Sequence, residues 1–133
     1  MISRRTDYAL RALSYLAKRK NEWTSASQLS GEIKVSKIFL AKIFQPLIQN
    51  GVLESQRGRE GGVRVVKKDA KLSEIILMFE PDFALNKCLA GNYHCSLQED
   101  CSLHGIFGSL QAELMKKLSG ITLRTAANRK GGK

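Results

Sequence analysis

Residues 25–67, SASQLSGEIKVSKIFLAKIFQPLIQNGVLESQRGREGGVRVVK, decide the fold. Ser25-Ala26-Ser27-Gln28 fits a capping box: the serine oxygen takes a free amide of the first turn and the glutamine reaches back, so a short helix starts here and runs to about Ile33. Lys34-Val35 leaves room only for a tight turn. Ser36 then caps a further helix in which Leu40, Ile43, Phe44, Leu47 and Ile48 recur at helical spacing as a buried stripe, and Gly51 supplies the stop. Pro46 lacks a backbone donor and is expected to kink or loosen the middle of that helix. Val52 to Gln56 and Val63 to Lys67 are short strand candidates. Between them Arg57-Gly58-Arg59-Glu60-Gly61-Gly62 reads as a glycine-rich hairpin tip carrying exposed arginines.

Outward from this stretch, Ala9, Leu10, Ala12, Leu13, Leu16 and Ala17 predict an amphipathic helix from Arg5 to Arg19, ended by Asn21 and Glu22. Three helices followed by a hairpin is the order of a winged helix-turn-helix. Leu72, Ile75, Ile76 and Phe79 predict a fourth helix, closed by Pro81. Residues 82 to 101 read as an irregular loop. Beyond it Leu103, Phe107, Leu110, Leu114, Leu118 and Ile121 form a seam along a long C-terminal helix, which in so small a chain finds its natural cover in a second copy. Arg124 to Lys133 resembles a polar tail. The expected class is mainly α, with a small β-hairpin wing and a long dimerisation helix, divided into a DNA-binding region at 1–68 and a helix, loop, dimerisation helix and basic tail at 69–133.

The formal net charge of +10 is unevenly placed. Residues 1 to 68 carry 14 Lys/Arg against 5 Asp/Glu, whereas residues 69 to 123 carry 4 against 7. A basic front segment with a mildly acidic remainder suits a phosphate-contacting module joined to a regulatory one. No apolar run reaches the ~20 residues of a membrane span, and Met1 to Lys20 is charged and amphipathic rather than a signal peptide. A cytoplasmic protein without membrane contact is expected.

In a helix-turn-helix the second helix enters the major groove, and residues near its N-terminus meet base edges. Here these are Ser36, Lys37, Phe39, Ala41 and Lys42. The polar three can bond phosphates or bases, while Phe39 and Ala41 offer only apolar contact to a thymine methyl. Affinity for double-stranded DNA is therefore more legible than specificity. Arg57 and Arg59, flanked by glycine, can enter a narrow minor groove. Alone such a tip would be an ordinary turn; behind a helix-turn-helix it points to DNA.

All three cysteines, Cys88, Cys95 and Cys101, fall in one loop, with His94 and His104 in or beside it. An odd number in a reducing compartment argues against disulfides. Six and then five residues separate them, so the Cys-x-x-Cys pairs common in structural zinc sites are missing. Wider spacing suits an iron-sulfur cluster, preferred here to zinc, with a thiol redox switch third. His94 reads as a solvated loop residue. No serine-histidine-acid arrangement or phosphate-binding glycine loop supports an enzyme. The rival from another class is a small iron-sulfur or zinc carrier with a basic partner-binding face, and the arginine hairpin argues against it.

Arg4-Arg5-Thr6-Asp7-Tyr8-Ala9-Leu10-Arg11, the stretch Phe39 to Leu53, the wing Ser55 to Val63 and the three-cysteine loop together resemble the Rrf-type winged-helix transcriptional regulators. The resemblance spans Met1 to about Ala126. It implies a homodimer in which the long C-terminal helix crosses to the partner subunit and the cluster loop lies close to the partner's DNA-binding domain. Cys88, Cys95 and Cys101 match the family's cluster cysteines. Asp7 matches an aspartate that supplies an oxygen ligand from the other subunit in the nitric-oxide sensors, and His104 matches the histidine that completes a two-iron cluster in the iron-sulfur regulators. Both are present, so a two-iron and a four-iron cluster remain open; the close match of Thr6 to Arg11 inclines the choice to Asp7. The chain departs from the family by one extra residue between the first two cysteines and by Ala41 in place of a glutamate that tunes site choice.

Overall fold

The computed structural model describes residues 2–91 and 94–129. Helix α1, Arg4–Ala17, is capped by Ser3, whose hydroxyl oxygen accepts the Thr6 amide at 3.3 Å. Its buried face is Ala9, Ala12, Leu13, Leu16 and Ala17. Lys20 and Asn21 take left-handed backbone after it, which turns the chain back. In α2, Ala26–Ile33, the serine half of the expected box forms: Ser25 Oγ accepts from Gln28 N at 3.1 Å. Left-handed Lys34 makes the tight turn and directs Val35 into the core.

Helix α3, Lys37–Gln49, is capped by Ser36 and buries Leu40, Ile43, Phe44 and Leu47. It runs unbroken through Pro46, against the expected loosening. The bond lost to proline is the one Lys42 C=O would accept, and Lys42 sits on the exposed face, where water can replace it. The stop is a Schellman arrangement: Val52 N donates to Leu47 O at 2.9 Å and Gly51 N to Ile48 O at 3.1 Å, with Gly51 at φ +74.

Strands β1, Leu53–Gln56, and β2, Gly62–Val65, pair antiparallel with Leu53 opposite Val65 and Ser55 opposite Val63. Leu53, Val63 and Val65 point inward. The wing has a third member that the sequence reading lacks: Thr24 bridges Val63, with amide-to-carbonyl distances of 3.0 and 2.9 Å in the two directions. Arg64 holds this root from the outside, pairing with Glu54 and stacking 4.2 Å from the Trp23 ring centroid.

Helix α4, Leu72–Phe79, forms as expected and ends at Glu80-Pro81. The cysteine loop contains two short 3-10 turns, Lys87–Leu89 and Gln98–Asp100, and α5 spans Ser102–Ser119. Thr122 caps a sixth helix, α6, Leu123–Asn128, where a polar tail was expected. Leu123 and Ala127 are buried, and Leu123 N and Arg124 N donate to Ala70 O and Lys68 O. The tail reading failed because two buried residues per helix is too weak a pattern to stand out among Arg, Thr and Asn. Residues 130–133 lie outside the described residues. One core joins α1, α2, α3 and the wing to Ala70, Ile75 and Phe79 and to Leu123 and Ala127 of α6.

Candidate DNA interface and cysteine loop

The buried stripe of α3 fixes which side chains face outward. Lys37, Ile38, Ala41, Lys42 and Gln45 are exposed. Ser36 Oγ accepts the Phe39 amide, yet its hydroxyl hydrogen remains free to donate to a phosphate. Phe39 is less available than its position in the sequence implies: it packs edge-on against Tyr8, ring centroids 5.2 Å apart, and closes the border of the core. The outward apolar residue is Ile38 instead, 76% exposed. Gln45 is a second residue the sequence reading passed over, and with Arg5, Phe39 and Lys42 it lines an open groove of about 390 Å³. Arg5 reaches this groove from α1 while its guanidinium lies 5.0 Å from the Phe79 ring centroid. Helical spacing alone assigns Ile38 and Gln45 to the face opposite Leu40 and Ile43, so the signal was present in the sequence.

Arg57 and Arg59 are fully outside the hairpin ladder and exposed. The tip is closed by Gly61 N donating to Gly58 O at 3.1 Å. Among the described residues neither arginine is held in an ion pair. Both guanidinium groups are thus free to meet phosphate or a groove floor.

The three thiols are free and half-buried. Cys88 sits in the first 3-10 turn, which packs on α5; Cys95 borders a cavity of about 310 Å³ with His94, Ser96 and Glu99; Cys101 is the N-cap residue of α5. His94 is exposed, as a solvated loop residue would be. His104 lies one turn into α5, its amide bonded to Cys101 O at 3.2 Å, and among the described residues its buried Nδ1 has no hydrogen-bond partner. Gln111 of α5 pins the start of the loop, donating from Nε2 to Phe83 O at 3.0 Å and accepting the Leu85 amide at 2.9 Å. Asp7 stands on α1, 55% exposed, and pairs with Arg11 at 2.9 Å.

A cluster needs convergent donors, and the donor chemistry here fits one: three thiols, and an imidazole nitrogen that lacks a partner. The placement within one chain does not complete it. Among the described residues no three Cys, His, Asp or Glu side chains come together closely enough to hold a metal ion. Among those residues, too, no helix is long and apolar enough to cross a membrane.

Residues 2–129 match the model of the Rrf2 family, described as iron-dependent transcriptional regulators. The chain is 33% identical to the HTH-type transcriptional regulator NsrR of Bacillus licheniformis, over 90% of this chain and 86% of that protein. It is 31% identical to NsrR of Bacillus subtilis, over 94% and 88%. Among solved structures, Staphylococcus aureus CymR superposes with a TM-score of 0.75 at 20% identity, covering 98% of this chain and 100% of the other. IscR of T. potens superposes with a TM-score of 0.69 at 20% identity, covering 99% and 93%. These two likenesses establish the shared winged-helix fold.

Proposed function

Because the chain belongs to the Rrf2 family of transcriptional regulators, we propose that it binds double-stranded DNA as a homodimer in the cytoplasm and adjusts that binding through an iron-sulfur cluster on Cys88, Cys95 and Cys101. The observation that carries the DNA reading is the outward face of α3 and its cap, with Ser36, Lys37, Ala41 and Lys42, together with the exposed Arg57 and Arg59 of the wing. The named relatives are transcriptional regulators, which leaves neither an enzyme nor a small iron-sulfur or zinc carrier with support.

Phosphate neutralisation by the basic front segment makes binding fall steeply with salt. Replacing Arg57 and Arg59 with alanine is expected to weaken binding and to lower the salt slope by about 1 to 2, at ~0.9 per lost phosphate contact. Fluorescence anisotropy on a duplex between low and moderate salt measures both quantities. Unchanged affinity and slope in the double variant would mean that the hairpin does not touch DNA.

Cys88, Cys95 and Cys101 would hold the cluster through their thiolates, with Asp7 of the other subunit or His104 as the remaining ligand. Such a cluster, when bound, supplies iron that reacts with oxygen or nitric oxide and is lost when iron is scarce. Asp7 is not committed elsewhere, since its exposed i, i+4 pair with Arg11 is worth only ~0.3–0.5 kcal/mol. His104 has the better local credential, a buried nitrogen with nothing to bond. The resemblance of Thr6 to Arg11 favours Asp7 and the local chemistry favours His104, so the pair of variants Asp7→Ala and His104→Ala decides between them. Each Cys→Ser variant, prepared anaerobically, is expected to lose the visible absorbance and the sulfide of the unaltered protein. Stoichiometric zinc without sulfide in the unaltered protein would replace the cluster with a zinc site.

A further inference from the structure

The face that α3 turns outward is chemically one-sided. Positions 38, 41, 42 and 45 follow i, i+3, i+4 and i+7 spacing, opposite the buried Leu40, Ile43, Phe44 and Leu47. Lys37–Gln49 contains no Arg, Asp, Glu or Asn. Arginine reads guanine through two acceptors, and a carboxylate reads the cytosine amino group; α3 has neither. What its first turns present, up to position 45, is two aliphatic groups, Ile38 and Ala41, one amide, Gln45, and the point charges of Lys37 and Lys42; Ile48 and Gln49 are exposed at its C-terminal end, away from the base-reading N-terminus. Aliphatic groups discriminate only the thymine 5-methyl, and a side-chain amide pairs with adenine N6 and N7. Lysine, with a single compact charge, serves phosphate as readily as guanine. Ile38 is the telling residue: at 76% exposure in the first turn of the recognition helix, it contributes nothing to the core and stands where side chains meet base edges. Phe39, the other apolar candidate, is held against Tyr8.

The wing points the same way by a different physical route. Arg57 and Arg59 carry guanidinium groups that are in no ion pair among the described residues, on a glycine-flanked tip. Arginine is drawn into narrow minor grooves, which A·T tracts form because they lack the guanine amino group that widens them.

Resting on the DNA-binding reading above, we propose that the operator half-site is A·T-rich, with Ile38 and Ala41 reading thymine methyls, Gln45 reading an adenine, and the wing arginines reading a narrow A·T minor groove. Ile38 and Gln45 are the specificity-determining residues. Neither packs in the core, so their alanine variants should remain folded.

The test begins with selection of bound duplexes from a random-sequence pool by the full chain. A·T-rich half-sites are expected. On the selected site, deoxyuridine is walked through each thymine to remove one methyl at a time. At the thymine under Ile38, the unaltered protein should lose about fourfold in affinity, the worth of one buried methyl, and Ile38→Ala should lose nothing further. Replacing the adenine read by Gln45 with 7-deaza-adenine should cost the unaltered protein about fivefold or more, with Gln45→Ala again indifferent. Under the wing, inosine·cytosine pairs, which keep the A·T-like minor groove, should be tolerated where guanine·cytosine is not. A G·C-rich selected motif, or indifference to every uracil and deaza-adenine, would overturn the assignment while leaving DNA binding intact. Failure to retain any duplex at low salt would overturn the DNA reading itself.

Discussion

Replacing Gly62 with valine is expected to cost about 3 kcal/mol or more of folding stability and to abolish productive contact by the wing. Gly62 opens β2 at φ +145, a backbone region that L side chains rarely enter, and a Cβ placed there would be driven into the Thr24 carbonyl group. Neither side can retreat. Thr24 is fixed by both of its backbone bonds to Val63, and the next residue, Ser25, is already the cap of α2; Val63 is buried on the other side. Trp23 cannot shift without giving up the Arg64 stack. The strain must therefore either detach the hairpin from the helix-turn-helix or unfold the domain around it. Gly58→Ala is the control, since a Cβ at the tip meets open space and only local backbone strain is added. Chemical denaturation and anisotropy on the same duplex read the two effects. A Gly62→Val protein with unaltered midpoint and unaltered affinity would show that the wing does not depend on its bridge to Thr24.

How much of this was legible in the sequence depended on the range of the interaction responsible. Caps are local, and Ser25, Ser36 and Gly51 announced the boundaries of α2 and α3 correctly because each satisfies backbone groups within a few residues. The buried stripes of α1, α3 and α4 were equally readable from spacing, except that Ile48, expected in the α3 stripe, is exposed near the end of the helix. Thr24 was not, because a single bridging residue has no period; nor was α6, whose place is set by Ala70 and Lys68 carbonyls some fifty residues earlier in the chain. Pro46 misled in the opposite sense, since a proline costs a helix little where the orphaned carbonyl faces water. At the site, residue type and position were legible for Lys37, Lys42, Arg57 and Arg59. Helical spacing also places Ile38 and Gln45 on the outward face; what it does not contain is the packing of Phe39 on Tyr8, which takes that ring out of the outward set. The three cysteines stand out in the sequence by type and spacing, but that no three ligand side chains among the described residues are close enough to hold a metal ion is a property of tertiary placement that spacing does not contain.

The largest loss of function is expected from Ile106→Glu combined with Leu110→Glu, which should separate the proposed dimer and weaken binding to a two-half-site operator by about 100-fold or more. None of the eighteen residues of α5 is buried. Within the expected seam, Phe107, Leu114, Leu118 and Ile121 are half-buried, since α4 and the first 3-10 turn pack on α5. Leu103, Ile106 and Leu110 remain exposed at 56%, 55% and 46%, so a contiguous strip on the N-terminal half of the helix faces outward. Such a strip on a monomer is a liability that a second copy removes, and two winged helices joined through it bind two half-sites with the advantage of a tethered second event. The substituted residues are exposed, so each chain should keep its fold and its intrinsic affinity for a single half-site. Sedimentation should then report a monomer at micromolar concentration, where the unaltered protein is expected to be a dimer, and circular dichroism should be unchanged. An unaltered protein that sediments as a monomer and still holds both half-sites tightly would refute dimerisation through this face. A double variant that stays dimeric would move the interface to another part of α5, with Leu114, half-covered by its own chain, as the next position to alter.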